Sequence, residues 1–419
     1  MKINQISSCR ICGNQNLIEI LDLGDQALTG LFPKSKDESV PIGPLQLVKC
    51  HGEEGCQLVQ LRHSFEAERM YGQNYGYRSG LNASMVAHLK SKAEMLQQMN
   101  PLKPGDVVLD IGSNDGTSLS FYPQECTRIG MDPTSAKFRK YYQPGIHALA
   151  EFFSAENFRR DFGAQKAKVI SSIAMFYDLE DPLSFVRDIA EVLDNEGVWH
   201  FEQSYMPLMI ERNAYDTVCH EHVEYYSLFQ IQWMLSRCGL RILDVQFNDI
   251  NGGSFAVTAC KESSRHKASS GLVEQILDQE KRIGIHTLEL FHKFRNSVEV
   301  HRDKLCNLIK DIRSKGGRIM GCGASTKGNV LLQYCGFTAN EIEAVAEVNP
   351  DKFGSFTPGT LIPIISEAEA RVIKPDYFLV LPWHFKSNLI SREKGFLESG
   401  GKIIFPLPTI EIVEIVRPD

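Results

Sequence analysis

Residues 216–227, DTVCHEHVEYYS, set His220 and His222 on either side of Glu221, with Cys219 before them and Glu224, Tyr225 and Tyr226 after. Three kinds of arrangement use residues of these types this close together. Histidine and carboxylate ligands could hold a metal ion. A neutral imidazole, with its titration midpoint near neutral pH, could take a proton from a substrate while an adjacent acid orients it. A solvated polar loop would need the same residues only for solubility. The elements that flank and position the segment decide between these.

Upstream, KPGDVVLDIGSNDGTSLSFY (103–122) predicts a turn, a short buried strand over Val107–Ile111, a glycine loop and the start of a helix. Gly112 and Gly116 enclose Ser113, Asn114 and Asp115, a spacing that is not the dinucleotide fingerprint GxGxxG. A second apolar strand ends in RIGMDP, where Asp132 is placed to accept hydrogen bonds from a ribose diol. A third, KVISSIAMFYDL, precedes the helix DPLSFVRDIAEVL, and GVWHFEQSY supplies another strand. Alternating strands and helices predict a parallel sheet whose ligand lies at the carboxyl ends of its strands. Asp110, directly before the glycines, suits a sulfonium and an ammonium and would repel a pyrophosphate, and Asp115 adds to that field. These charges favour methyl transfer from an adenosyl sulfonium. An NAD-dependent oxidoreductase or epimerase is the alternative.

At the amino end Cys9 and Cys12 form a CxxC knuckle, and Cys50 and Cys56 a wider pair, CHGEEGC, with His51 an alternative ligand to Cys50. Four thiolates close a tetrahedral zinc shell with no open position, so a structural metal is expected. A nucleic-acid ribbon would carry basic and aromatic residues between the knuckles; LDLGDQALTGLFPKSKDESVPIGPLQL is apolar and mixed in charge. Between this unit and the strand at 107, MYGQNYGYRSGLNASM (70–85) has the composition of a loop that orders on a ligand, with Tyr75 and Tyr77 as candidate hydrogen-bond donors.

Beyond NGGS, the apolar positions over about 264–315 recur at threes and fours and predict helices. GGRIMGCGASTKGNVLLQYCGF then predicts strand, glycine loop and helix. A phosphate-binding GxxxxGK[ST] loop is excluded, because Thr326 precedes Lys327 and Gly328 follows it. Strands at Val345–Val348 and DYFLVLPWHF complete a second open α/β unit, whose loop amides suit the phosphates or base of a sugar nucleotide. Lys327, Trp383 and His384 are weaker site candidates.

The 419 residues are 43% apolar and 23% charged, an ordinary globular mixture expected to form two to four domains, roughly as chain length suggests. A net charge of −7 argues against nucleic acid as a partner. No segment approaches a membrane span, and MKINQISSCR lacks the apolar core of a secretory signal, so a cytoplasmic protein is expected. Cys126, Cys219, Cys238, Cys260, Cys306, Cys322 and Cys335 are isolated and are expected as small core residues or incidental thiols. The assembly state is left open, with a monomer as the default.

LDIGSNDG followed by GMDP resembles the class I S-adenosylmethionine methyltransferases. Adding CRICG, LDLGDQAL, YGYRSG, FYDLEDP, HEHVEYYS, NGGSFAV and GCGASTKGNVLLQ, nearly the whole chain resembles the sugar C-methyltransferases that act on nucleotide-linked 4-keto-6-deoxyhexoses. The resemblance implies an α/β protein of three units. These are a small zinc-binding amino-terminal domain (1–70), a class I methyltransferase Rossmann-like core with a catalytic insertion (71–255), and a helical connection leading to a second Rossmann-like, substrate-binding domain (256–419). It implies S-adenosylmethionine at Asp110, Gly112, Asn114, Gly116, Asp132 and Phe176, and structural zinc at Cys9, Cys12, Cys50 and Cys56. The methyl would go to C3 of a GDP- or TDP-linked sugar, with His222 as base, Glu221 as its partner, and His220, Tyr75 and Tyr77 at the site. A sugar O-methyltransferase is the nearer alternative. Two positions depart from the family's pattern: Cys219 stands where tyrosine is usual, and Asn251 where histidine is usual. If that tyrosine holds an enolate oxygen, the role passes to Tyr75, Tyr77, Tyr225 or His220.

Overall fold

The computed structural model describes residues 3–65 and 77–415. Tyr75 and the side chain of Asn251 lie outside the described residues.

The run VVLDI (Val107–Ile111) is buried at every position, as a strand covered on both faces must be. It is an interior strand, the fifth of seven, in a sheet ordered Leu240–Asn248, Ser254–Lys261, Leu193–Ser204, Ala167–Ile173, Val107–Ile111, Thr127–Met131, Ile146–Leu149. The last five are parallel, and Ser254–Lys261 runs antiparallel between its two neighbours. Numbered along the chain and read from the Ile146–Leu149 edge, the order is 3-2-1-4-5-7-6. The strand order reverses beside Val107–Ile111, which opens a crevice at its carboxyl end. Ile146–Leu149 was not foreseen, because IHAL is too short to show a period. The helix expected after the glycine loop is a single tight turn, Ser118–Phe121. Asp181 caps the helix Pro182–Val192 by accepting from Ser184 N at 3.0 Å, and Pro182 fits its first turn.

The carboxyl-terminal sheet repeats the plan with six strands: Ile364–Ser366, Val345–Glu347, Ile319–Cys322, Tyr377–Val380, Lys402–Phe405, Glu411–Val413. The first five are parallel and Glu411–Val413 closes the edge antiparallel. Sequence reading ended this unit at the DYFLVLPWHF strand. Two more strands follow, and a third short one precedes it. Helices Leu272–Ile283 and Glu289–Ser314 lead into the sheet, as the 3–4 periodicity indicated.

The amino-terminal unit is an antiparallel sheet of Leu17–Ala27, Ile42–Cys50 and Val59–Leu61, to which Glu224–Tyr225 adds a fourth, edge strand. The HEHVEY segment is therefore part of two units at once. Val223 N donates to Tyr177 O at 2.9 Å on the methyltransferase side, and Leu61 N donates to Val223 O at 2.9 Å on the other. Ser227 then starts the helix Leu228–Arg237 with a capping box to Gln230, which ends the segment.

Candidate active site

The three units enclose one cavity of about 1090 Å³, roughly the upper end of the range for a single small-ligand site. Its wall runs from Gly30 and Phe32 of the amino-terminal unit, across Asp110–Asn114 and Asp132, past Cys219, Glu221 and His222, to Cys322–Lys327, Glu347 and His384.

The glycine loop is held from both sides. Gly112 has φ +74°, and an added Cβ would meet Met175 Cγ at 3.0 Å, so the turn requires glycine. Gly112 N donates to Met131 O at 2.9 Å, and Asn114 N donates to Asp132 Oδ2 at 2.8 Å. Asp132 also accepts from Thr134 N at 2.6 Å, so it shapes the loop as well as lining the cavity. Tyr142 OH donates to Asn114 O at 2.9 Å and shares a hydrogen bond with Ser113 Oγ at 2.8 Å. Over this loop lies the stretch 77–80: Asn114 Nδ2 donates to Tyr77 O, Ser79 N to Asn114 Oδ1, and Gly80 N to Asp115 Oδ2. Tyr77 lines the cavity and is 45% exposed.

Asp110 accepts from Ser171 Oγ at 2.5 Å, and burial pushes its carboxyl up to about 7, with the nearby Asp132 adding to the effect. A buried acid poised to ionise at the carboxyl end of the first strand fits a cationic ligand. The donor set therefore suits S-adenosylmethionine: an acid for its positive groups, a tight glycine turn, and a second acid at the end of the next strand. Among the expected cofactor residues, Gly116 keeps the loop's conformation (φ +75°) behind the cavity wall. Phe176 is not at the cavity. Its ring is fully buried, stacked on Tyr226 and packed against Phe185, Trp199 and Phe201, where burial of its apolar surface outweighs any ligand contact. The neighbours Met175, Tyr177 and Asp178 line the cavity instead.

His222 faces the cavity, and its Nδ1 donates to Thr217 O at 3.1 Å. A carbonyl only accepts, so Nδ1 carries the proton and Nε2 keeps its lone pair. Burial, and then the charge of Lys327, bring the imidazole down to about 3, so it is neutral at physiological pH. Tyr177 packs edge-on against it, with ring centres 4.3 Å apart. Glu221 Oε2 accepts from Thr29 Oγ1 at 3.2 Å, and burial raises the carboxyl. His220 points the other way. It is fully buried, its Nε2 contacts Gly43 O at 3.1 Å, and Phe65 packs edge-on against its ring. A turn over Cys219–His222, closed by His222 N donating to Cys219 O at 3.2 Å, sends the two imidazoles to different sides, so His220 secures the amino-terminal sheet while His222 faces the chamber. Tyr225 is buried off the cavity, with its hydroxyl 3.5 Å from Thr217 O. Cys219 is 1% exposed at the cavity wall, and burial pushes its thiol well up.

The second sheet reproduces the glycine-loop device. Gly323 N donates to Ala346 O at 2.8 Å, and Ala324 N donates to Glu347 Oε2 at 2.8 Å, as Gly112 and Asn114 do with Met131 and Asp132. Sequence reading missed Thr29, Gly30 and Glu347 as site residues and took Phe176 from FYDLEDP in place of its neighbour Tyr177, because the place of each depends on how the units dock. Asn329 Nδ2 donates to Thr29 O at 2.7 Å and Gln333 pairs with both backbone groups of Ala27, fixing the amino-terminal strand end to the helix Thr326–Tyr334.

Away from the cavity, the Sγ atoms of Cys9, Cys12, Cys50 and Cys56 all lie within 4.8 Å of one another, with Cys9–Cys56 at 3.4 Å and Cys12–Cys50 at 3.5 Å. A zinc ion with bonds of about 2.3 Å requires sulfur–sulfur edges of about 3.8 Å, so the cluster fits. Asn14 Nδ2 donates to Cys50 Sγ at 3.4 Å, a support typical of such ligands. Cys50, and not His51, completes the set.

Comparison with known proteins agrees with this architecture in order along the chain. Residues 9–71 match a family described as "Putative zinc binding domain", 86–245 a "Methyltransferase domain", and 249–408 a "C-methyltransferase C-terminal domain". The protein is an S-adenosylmethionine-dependent C-methyltransferase with a structural zinc site. A curated relative, C-methyltransferase NovU of Streptomyces niveus, is 28% identical over 416 residues, 98% of each chain. Among solved structures, the plantazolicin methyltransferase BpumL in complex with SAH aligns at 13% identity over 41% of this chain and 82% of its own, TM-score 0.33. The complex of a Haloferax volcanii methyltransferase with its Trm112 activator aligns at 15% identity over 43% of this chain and 94% of that one, TM-score 0.36. No helix among the described residues is long and apolar enough to cross a membrane.

Proposed function

We propose that the enzyme transfers the methyl group of S-adenosylmethionine to C3 of a nucleotide-linked 4-keto-6-deoxy sugar, with His222 as the base. The observation that carries this reading is the His222 tautomer: Nδ1 is bound to Thr217 O, so the unprotonated Nε2 is the nitrogen left for substrate in a chamber shared with both glycine loops. S-adenosylmethionine supplies an electrophilic methyl to a carbon nucleophile. A carbon next to a ketone becomes that nucleophile when it loses its proton, and no metal is needed for this.

His222 takes the C3 proton on Nε2, and Thr217 O holds the ring in place through Nδ1. An imidazole this weakly basic ionises only if a negative charge forms beside it, and the enolate oxygen supplies one in the same step. Glu221, anchored by Thr29, is placed to bind a sugar hydroxyl or to orient the substrate against His222. The second Rossmann-like sheet has its crevice open to the same cavity, and its loop amides suit the diphosphate of the sugar nucleotide. Domain limits of 1–70, 71–255 and 256–419 accord with one unit for zinc, one for the methyl donor and one for the nucleotide sugar.

The test is incubation with S-adenosylmethionine and a panel of GDP- and TDP-linked 4-keto-6-deoxyhexoses, followed by NMR of the product. A methyl on quaternary C3 is expected. A methyl on oxygen, or no adenosylhomocysteine with any ketosugar, refutes the reading. His222→Asn is expected to abolish turnover, by about 10²–10⁴-fold for a lost general base, while S-adenosylmethionine still binds.

A further inference from the structure

The cavity wall carries a cation close to the proposed base. Lys327 is the second residue of the helix Thr326–Tyr334 and lines the cavity with Cys219, Glu221, His222 and His384. Its backbone is rigidly placed. Ser325 caps the helix by accepting from Gly328 N at 3.0 Å, and Asn329 and Gln333 fasten the next turns to Thr29 and Ala27. Within reach of its charge, Asp216 Oδ2 accepts from Trp383 Nε1 at 2.7 Å.

The charge of Lys327 reaches four groups around the chamber. It depresses the imidazoles of His222 and His384, and it draws down the carboxyl of Asp216 and the thiol of Cys219. Burial lowers the ammonium itself, with Asp216 and Cys219 opposing that shift.

We infer that Lys327 is a catalytic residue: its ammonium binds the carbonyl oxygen next to the carbon that His222 deprotonates, and stabilises the oxyanion that forms there. This rests on the ketosugar reading above. In the first step the C3–H bond breaks and its proton goes to His222 Nε2. The bonding pair becomes the C3–C4 double bond, and the carbonyl π pair moves onto the C4 oxygen, facing Lys327. In the second step that pair returns to re-form the ketone as C3 bonds to the methyl carbon, and the carbon–sulfur pair leaves with sulfur. Lys327 thus supplies the positive partner for the oxyanion. The same oxyanion cancels the field by which Lys327 otherwise opposes a proton on His222. Placed to hold both charges at once, the ammonium makes a weakly basic histidine sufficient. A substrate phosphate at Lys327 would be a different role, held equally in ground and transition states.

The test separates enolate formation from methyl transfer. The enzyme is held in D2O with adenosylhomocysteine and a TDP- or GDP-linked 4-keto-6-deoxyhexose, and exchange of the C3 proton is followed by NMR. Lys327→Met is expected to slow exchange by about 10²–10³-fold, the usual loss for an oxyanion donor, with S-adenosylmethionine affinity unchanged. Lys327→Arg, which keeps the charge, is expected to retain more exchange than Lys327→Met. Exchange in Lys327→Met within about threefold of the unaltered enzyme, or a raised KM at unchanged kcat, overturns the assignment to Lys327 alone. No exchange in the unaltered enzyme with either sugar overturns the ketosugar reading, and this inference with it. Should Lys327→Met fail to fold, Lys327→Gln gives the same readout.

Discussion

Arg10, inside the zinc knuckle, places its Nε 3.2 Å from the carboxylate of Glu180, in the loop that follows the strand Ala167–Ile173 of the methyltransferase sheet. The same guanidinium donates to Leu61 O at 2.7 Å and Ser64 Oγ at 2.8 Å, and lies 4.0 Å from Glu224, two residues beyond His222. Burial holds Glu224 well above the carboxylate range despite Arg10, so Glu180 is the charge that balances the guanidinium. Arg10→Met is expected to cost about 2–3 kcal/mol of stability through lost charged hydrogen bonds, read by calorimetry. Stability equal to the unaltered protein would show that the clamp contributes nothing.

The cysteine cluster is connected to the His222 segment through this clamp and the shared edge strand. Chelation is expected to release amide hydrogens at 59–61 and 223–225 to exchange, while 107–111 stays protected. Uniform loss of protection, or none at 223–225, would show that the metal does not secure the His222 segment. The physical basis is that Glu224–Tyr225 pairs with Val59–Leu61, and Gln230 Nε2 donates to Cys56 O at 3.1 Å.

Asp110 is expected to make the affinity for S-adenosylmethionine dependent on pH. Its pKa in the free protein is raised to about 7, so below that the carboxyl is protonated. A bound cation favours the ionised form, so binding expels a proton at acidic pH. Affinity is expected to rise with pH, by up to about tenfold per unit, and to level off above about 7. Titration calorimetry in two buffers of different ionisation enthalpy measures the proton. A flat profile with no proton released would show that Asp110 does not meet the positive groups.

Gly30 leaves room for Glu221: a Cβ there would stand 2.6 Å from Glu221 Oε1. Gly30→Ala is expected to displace that carboxylate from Thr29 and lower kcat by about tenfold, equivalent to about 1.4 kcal/mol, with S-adenosylmethionine binding intact. Unchanged kcat would show that the exact setting of Glu221 is immaterial.

Cys219 is expected to be inert despite lining the chamber. Its thiol is buried and held protonated, so alkylation by iodoacetamide is expected to be about a hundredfold slower in the native than in the unfolded protein. Mass spectrometry of the peptide containing Cys219 measures this. Rapid native labelling would place a thiolate next to His222.

Much of the protein is determined locally and was legible in the chain. VVLDI between a KPG turn and a glycine loop has one stable use, a buried strand feeding a tight turn, and four cysteines in two pairs suit one metal. The repeat of strand, glycine loop and acid in the two halves likewise follows from short-range chemistry. Tertiary structure decided which residues meet. His220 and His222 are alike in sequence, but the edge strand Glu224–Tyr225 anchors the segment, and the turn over Cys219–His222 sends one imidazole into the amino-terminal sheet and the other into the chamber. Phe176, beside a ligand-lining turn, goes to the core because four aromatic rings are waiting there. The pair Thr29–Gly30 and Lys327 lie far along the chain from Glu221 and His222 and join them at one cavity only when three units dock, a relationship that no local pattern encodes.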